Sequence, residues 1–227
     1  MTTFELVAFD IETTGFEVDD TITVVGFDFE MGSRVFVNTA GADRNGLETQ
    51  VEQETGYTIS VSTHADEAAL LQAVSDFGLK RFAGDDGLLL VAYNGAKWKS
   101  GFDFPFLRTR LTRHDIPWPF RDVPYADLLP VIERRFNTTV GSGDDRSAVN
   151  DLVGAYDTLI GGEVSLTDPF AESSEAVAAF ENAAFVDVVK HNAADVRRPR
   201  ALGKLAQTYC SKSDIQLKSL TPTIHDD

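Results

Sequence analysis

The chain has 227 residues and a formal net charge of −16, with 36 Asp and Glu against 20 Lys and Arg. That length suits one domain, 1–227, with a substantial core, and the charge argues against a broad basic surface for duplex nucleic acid. The single cysteine, Cys210, excludes an internal disulfide and any multi-cysteine zinc site; no apolar run approaches the ~18 residues of a membrane span, and no signal pattern opens the chain, so a cytoplasmic protein is expected.

The acid excess is spread along the chain, Asp outnumbers Glu, and Arg outnumbers Lys. This reads as a halophile's signature, in which concentrated salt screens self-repulsion and a hydrated acidic surface maintains solubility; an ordinary acidic protein is the alternative.

In chain order, Glu5–Ile11, Thr21–Phe29 and Arg34–Thr39 carry strand patterning and predict a three-strand antiparallel meander. The pattern-poor stretch Ala40–Gly56 predicts a surface loop. "STHADEAALLQAVSDFG" then predicts a crossover helix, with Ala68, Leu71, Val74 and Phe77 at helical spacing and Thr63 as its cap. "LLLVAYN" reads as a buried strand parallel to the first, because a helix precedes it. "DFPFLRTRLTRHDI" predicts a helix with Pro105 in its first turn, and Phe120–Val123 predicts an edge strand flanked by prolines. "YADLLPVIERRF", "SAVNDLVGAYDTLIG" and the long stretch from Ser173 to Cys210 are helical, and Asn137–Asn150 is a further loop. The sum is an α/β domain with a mixed sheet flanked by helices.

The first strand holds an anomaly. In "LVAFDIETTGF", Asp10 and Glu12 share one face while Phe9 and Ile11 point to the other. Paired carboxylates on an apolar strand repel and resist burial unless a cation neutralises them, and oxygen donors favour Mg²⁺ or Mn²⁺. Later segments supply more such groups: Asn94 ends the fourth strand, Asp103 opens the next helix, and His191 and Asp195 lie at i and i+4 on one helix face.

In order and context, "FDIETTG", "YNGAKWKSGFDFPFLRTR" and "HNAADVRR" resemble the three motifs of the DEDD superfamily of 3′–5′ exonucleases, which have the ribonuclease H-like fold. The nearest likeness is to the group related to family B polymerase proofreading domains, and it covers most of the chain. The resemblance implies that Asp10, Glu12, Asp103 and Asp195 hold two divalent ions, Mg²⁺ or Mn²⁺, about 4 Å apart. It also places His191 as general base or water-orienting residue. Two features depart from the family. His191 and Asp195 have the spacing of the tyrosine subgroup rather than the histidine subgroup, and Pro199 stands where a threonine is expected, so the last helix should break or kink there.

The implied substrate is the 3′ end of single-stranded DNA or RNA, DNA favoured, contacted by Thr13, Asn94, Lys97, Trp98, Phe104, Arg108 and Arg198. Lys97, Lys99, Arg108, Arg110, Arg113, Arg197, Arg198, Arg200 and Lys204 cluster beside the second and third motifs and read either as phosphate contacts or as ion pairs on helix faces; Phe16 is a further candidate for base stacking. Asn94 reads equally as a turn residue, Trp98 as a loop anchor, and Asp127 as a site-supporting or helix-start acid. A replication or repair partner is compatible with this reading. The alternatives are a non-catalytic binding module with the same fold, or a structure-specific endonuclease of the wider superfamily.

Overall fold

The computed structural model describes residues 4–42, 44–84, 87–96, 102–162 and 164–224. Strands β1 (Glu5–Thr13), β2 (Ile22–Phe29) and β3 (Gly32–Asn38) form the expected antiparallel meander. The stretch expected to be one loop, Ala40–Gly56, instead contains helix α1 (Leu47–Thr55), which buries only Leu47 and Val51, one turn apart, and is bounded by left-handed Gly46 and Gly56. Strand β4 (Ile59–His64) follows and pairs parallel with β3, so Thr63 lies in a strand. Helix α2 (Glu67–Phe82) is capped by Asp66, whose carboxylate accepts from the Ala69 amide at 2.8 Å.

Strand β5 (Leu88–Ala92) runs parallel to β1 as expected, and helix α3 begins at Asp103 and ends at Arg113. Strand β6 is Pro124–Asp127 rather than Phe120–Val123, and it is not an edge. It lies between β5 and a short C-terminal strand, with Pro124 at its first position, where a missing N–H is tolerated. Helix α4 (Leu129–Arg135) follows, and a hairpin of β7 (Thr139–Val140) and β8 (Ser147–Ala148) interrupts the expected 137–150 loop. The remaining elements are α5 (Leu152–Leu159), α6 (Val164–Thr167), α7 (Ser173–Glu181), α8 (Phe185–Tyr209) and β9 (Lys218–Ser219). Among the described residues the main sheet has the order β4-β3-β2-β1-β5-β6-β9, and no helix is long and apolar enough to cross a membrane.

Period-two alternation in β1 divides the core. Val7, Phe9 and Ile11 pack with Phe27, Leu71, Phe104 and Phe120 on the side of α2 and α3. Leu6 and Ala8 pack on the opposite side with Ala194, Val196 and Leu202 of α8. Asp10 and Glu12 continue that second row, and so lie under α8.

Helix α8 runs unbroken through Pro199, contrary to the expected break. Proline withholds one N–H from the Asp195 carbonyl, but the helix is held to the sheet on both sides of it. Asn192 bonds Asp10 at 3.0 Å, Arg200 Nε donates to the Leu6 carbonyl at 3.2 Å, and Gln207 donates to the Phe4 carbonyl at 3.1 Å.

Candidate metal centre

Three elements bring the acids together. The antiparallel register of β1 and β2 shifts between Glu12 and Thr13, ending the regular pairing at the second acid. Asp103 is the first residue of α3, anchored where the Phe104 amide donates to the Gly95 carbonyl at 3.0 Å. A Cβ on Gly95 would stand 2.8 Å from Ala92 Cβ and 3.3 Å from Asp103 Oδ2, so glycine is needed for this approach. Asp195 comes from α8, one turn after His191.

The electrostatics record the convergence. Burial, then repulsion from Glu12, Asp103 and Asp195, holds the Asp10 carboxyl well above the usual range, against the hydrogen bond from Asn192. Burial, then repulsion from Glu12, Asp127 and Asp195, does the same to Asp103. Burial pushes Glu12 up to about 7 despite the attraction of His191. Burial also raises Asp195, against the pull of His191 and Arg198. Such crowding is relieved by protonation or by a bound cation.

Glu12, His191 and Asp195 offer ligand atoms that all lie within 4.8 Å of one another and can hold a metal ion. His191 Nε2 is 3.5 Å from Asp195 Oδ2 and 3.9 Å from Glu12 Oε1. Both Nε2 and Glu12 Oε1 are buried atoms without a hydrogen-bond partner, and that vacancy in their bonding is the structural test a cation would satisfy. On the far side of the ring, His191 Nδ1 meets Asp168 Oδ1 at 2.8 Å, and Phe170 stands edge-on to it. Burial opposes charging of His191, but the Asp168 hydrogen bond and the nearby Glu12 and Asp195 outweigh it and push its pKa up to about 9.

The five residues expected to perform the chemistry, Asp10, Glu12, Asp103, His191 and Asp195, therefore share one neighbourhood. The expected substrate contacts fare differently. Lys97 and Trp98, with Lys99, lie outside the described residues. Phe104 is completely buried and stacks on Phe9 with centroids 5.0 Å apart, so it belongs to the core and has no face for a base. Arg198 is 2% exposed and bonds Asp168 at 2.7 Å and Asp195 at 2.5 Å, which makes it an internal counter-ion and not a phosphate contact. Thr13 Oγ1 donates to the Gly15 carbonyl at 2.7 Å, and left-handed Asn94 donates its amide to Asp127 at 2.9 Å, so both shape turns. Arg108 is exposed with its guanidinium 4.6 Å from the centre of the Trp118 ring.

Of the other clustered basic residues, Arg110 pairs with Glu67, Arg113 with Asp19, and Arg200 and Lys204 with Glu30, while Arg197 stacks on Tyr57. The ion-pair reading describes them better than phosphate binding. Phe16 is 76% exposed and stands edge-on to Phe102 with centroids 5.1 Å apart, on the turn that follows the two acids of β1.

Sequence reasoning missed Asp168 and Asn192. Asn192 had a signal: Gly26 interrupts an apolar strand interior, which marks close approach by another group, and Asn192 Oδ1 fills that space. No family model matches this sequence, and no curated protein matches it.

Proposed function

We propose that the chain is a metal-dependent 3′–5′ exonuclease with a ribonuclease H-like fold, releasing nucleoside monophosphates from a single-stranded end, DNA before RNA. The observation that carries this reading is the convergence of Asp10, Glu12, Asp103 and Asp195, contributed by β1, α3 and α8, around partnerless buried donor atoms. The antiparallel meander continued by parallel strands supports the fold assignment.

Bound Mg²⁺ or Mn²⁺ ions would supply an activated water and neutralise the departing oxygen. The four carboxylates would hold the ions, and Arg198 and Asn192 would fix the rotamers of Asp195 and Asp10. Phe16 would stack on the terminal base. Such an enzyme would serve repair, replication support or RNA processing in the cytoplasm, alone or with a protein partner, and its acidic surface suits a cell of high internal salt.

The test is hydrolysis of 5′-labelled single-stranded DNA and RNA of one sequence in molar KCl with Mg²⁺ or Mn²⁺, beside circular DNA and Asp10→Asn. A ladder shortening from the 3′ end, abolished by EDTA and by the substitution, is expected. Cutting of the circle would make the protein an endonuclease. Metal binding with no product from any strand would leave a binding module.

A further inference from the structure

His191 has one buried nitrogen bonded and one not. Nδ1 lies 2.8 Å from Asp168 Oδ1, and the second Asp168 oxygen takes Arg198 Nη1 at 2.7 Å. The side chains of Asp168 and Arg198 are 4% and 2% exposed, so this is an internal construction shielded from solvent. A carboxylate held by an arginine only accepts, and Nδ1 must therefore carry hydrogen. In the uncharged ring this leaves a lone pair on Nε2.

Nε2 lies 3.5 Å from Asp195 Oδ2 and 3.9 Å from Glu12 Oε1, neither of them close enough for a good hydrogen bond. The other Asp195 oxygen is taken by Arg198. Nε2 and Asp195 Oδ2 are thus held by partners on their far sides next to the unpartnered Glu12 Oε1, and with the ring uncharged the three atoms suit a cation.

We infer that Asp168 is a positioning residue that turns His191 into a nitrogen ligand, making this a mixed nitrogen–oxygen centre that prefers Mn²⁺ to Mg²⁺. The inference rests on the metal-centre reading and differs from its four-carboxylate form. Imidazole suits borderline first-row ions, whereas Mg²⁺ favours oxygen donors and retained water. An outer partner of a ligating histidine fixes its tautomer and ring orientation, and its removal typically costs 10–100-fold in metal affinity.

Pulsed electron paramagnetic resonance of the full chain loaded with Mn²⁺ reads this directly, because a directly bound imidazole imposes ¹⁴N modulation on the manganese echo. The wild type should show that modulation and bind Mn²⁺ at least about 10-fold more tightly than Mg²⁺ in competition. His191→Gln should abolish the modulation and remove most of the preference, since oxygen ligands remain. Asp168→Ala should raise the Mn²⁺ dissociation constant about 10–100-fold and weaken the modulation. Asp168→Asn, whose amide oxygen can still accept the ring N–H, should recover part of both. Bound Mn²⁺ without ¹⁴N modulation in the wild type, or modulation that survives His191→Gln, would overturn the inference while leaving an all-oxygen centre intact. Failure of the wild type to bind Mn²⁺ at all would overturn the metal-centre reading itself.

Discussion

Asn192, fully buried on α8, donates its side-chain amide to Asp10 Oδ2 at 3.0 Å, so one hydrogen bond ties the last helix to the first acid of β1. Space for it exists because the residue opposite Asp10 in the β1–β2 register is Gly26. A Cβ there would stand 2.0 Å from Asn192 Oδ1 and 3.0 Å from Val196 Cγ1. Gly26→Ala should therefore push α8 off the sheet, cost about 1–3 kcal/mol in urea denaturation, and weaken metal binding in the same variant. Unchanged stability and metal affinity would show that Asn192 does not set the spacing.

The crowded acids make an opposite prediction for stability. Asp10 and Asp103 are held above the usual carboxylate range by burial and mutual repulsion, so in EDTA each charge works against the fold. Asp103→Asn should raise the unfolding free energy of the EDTA-treated protein by about 0.5–2 kcal/mol, while reducing the stabilisation conferred by saturating Mn²⁺. A variant less stable than wild type in EDTA would mean that the carboxylate is compensated by the protein alone.

The pH dependence of the metal-free fold follows from the same groups. Glu12 rises from 4.5 to about 7, so between those values the folded chain holds more protons than the unfolded one, and stability falls as pH rises. His191 rises from 6.5 to about 9, so its contribution is complete below 6.5 and is lost as pH rises through about 9. The two effects share a sign. In EDTA, thermal denaturation should show stability falling across pH 5 to 9 (about that span), and saturating Mn²⁺ should flatten the slope by displacing the protons. A rise in stability over that window in EDTA would refute the assignment.

Away from the centre, Glu67 accepts from the Ile22 amide at 2.8 Å, from Arg110 Nε at 2.8 Å and Nη2 at 2.5 Å, and faces His114 Nε2 at 2.9 Å. Arg110 also reaches the Val18 carbonyl at 3.0 Å, fastening the turn that carries Phe16 to α3. Arg110→Met would leave Glu67, 6% exposed, without its main counter-charge and should cost about 3–5 kcal/mol. Faster hydrogen exchange at residues 16–20 should accompany that loss. A cost below about 1 kcal/mol would class the pair with surface ion pairs.

Where β-branched and aromatic residues alternate, as in Thr21–Phe29, pairing follows from the chain alone, and the β1 acids marked the candidate site because their period-two placement is a local property. Helix α1 escaped notice because two buried residues amid polar ones leave almost no periodicity. Strand β4 reads as the approach to α2 because its burial comes from tertiary contact with β3. Asp168 lies in an irregular stretch, 23 positions before His191, and no pattern links the two until the helices pack. The arginines beside the motifs misled for a related reason: composition reveals a charge but not its partner, and Arg198 has two internal ones.

Replacing Phe16 would separate an effect on binding from one on folding. It is 76% exposed and touches Phe102 edge-on, and Phe102 in turn packs on Phe106 with centroids 4.6 Å apart, so an aromatic ladder rises from the start of α3 to the surface. Exposure on that scale gives the fold little to lose, and Phe16→Ala should change stability by no more than about 0.5 kcal/mol. If the ring stacks on a terminal base, its removal should cost about 1–3 kcal/mol of substrate interaction, equivalent to a roughly 5- to 150-fold weaker hold on a single-stranded end. Steady-state hydrolysis of a short oligonucleotide, beside anisotropy with the same strand in Ca²⁺, measures both quantities. A raised KM with unchanged denaturation is the expected pair of results. Unchanged KM and affinity would place the strand elsewhere on the surface and leave Phe16 as the exposed end of the Phe102–Phe106 packing.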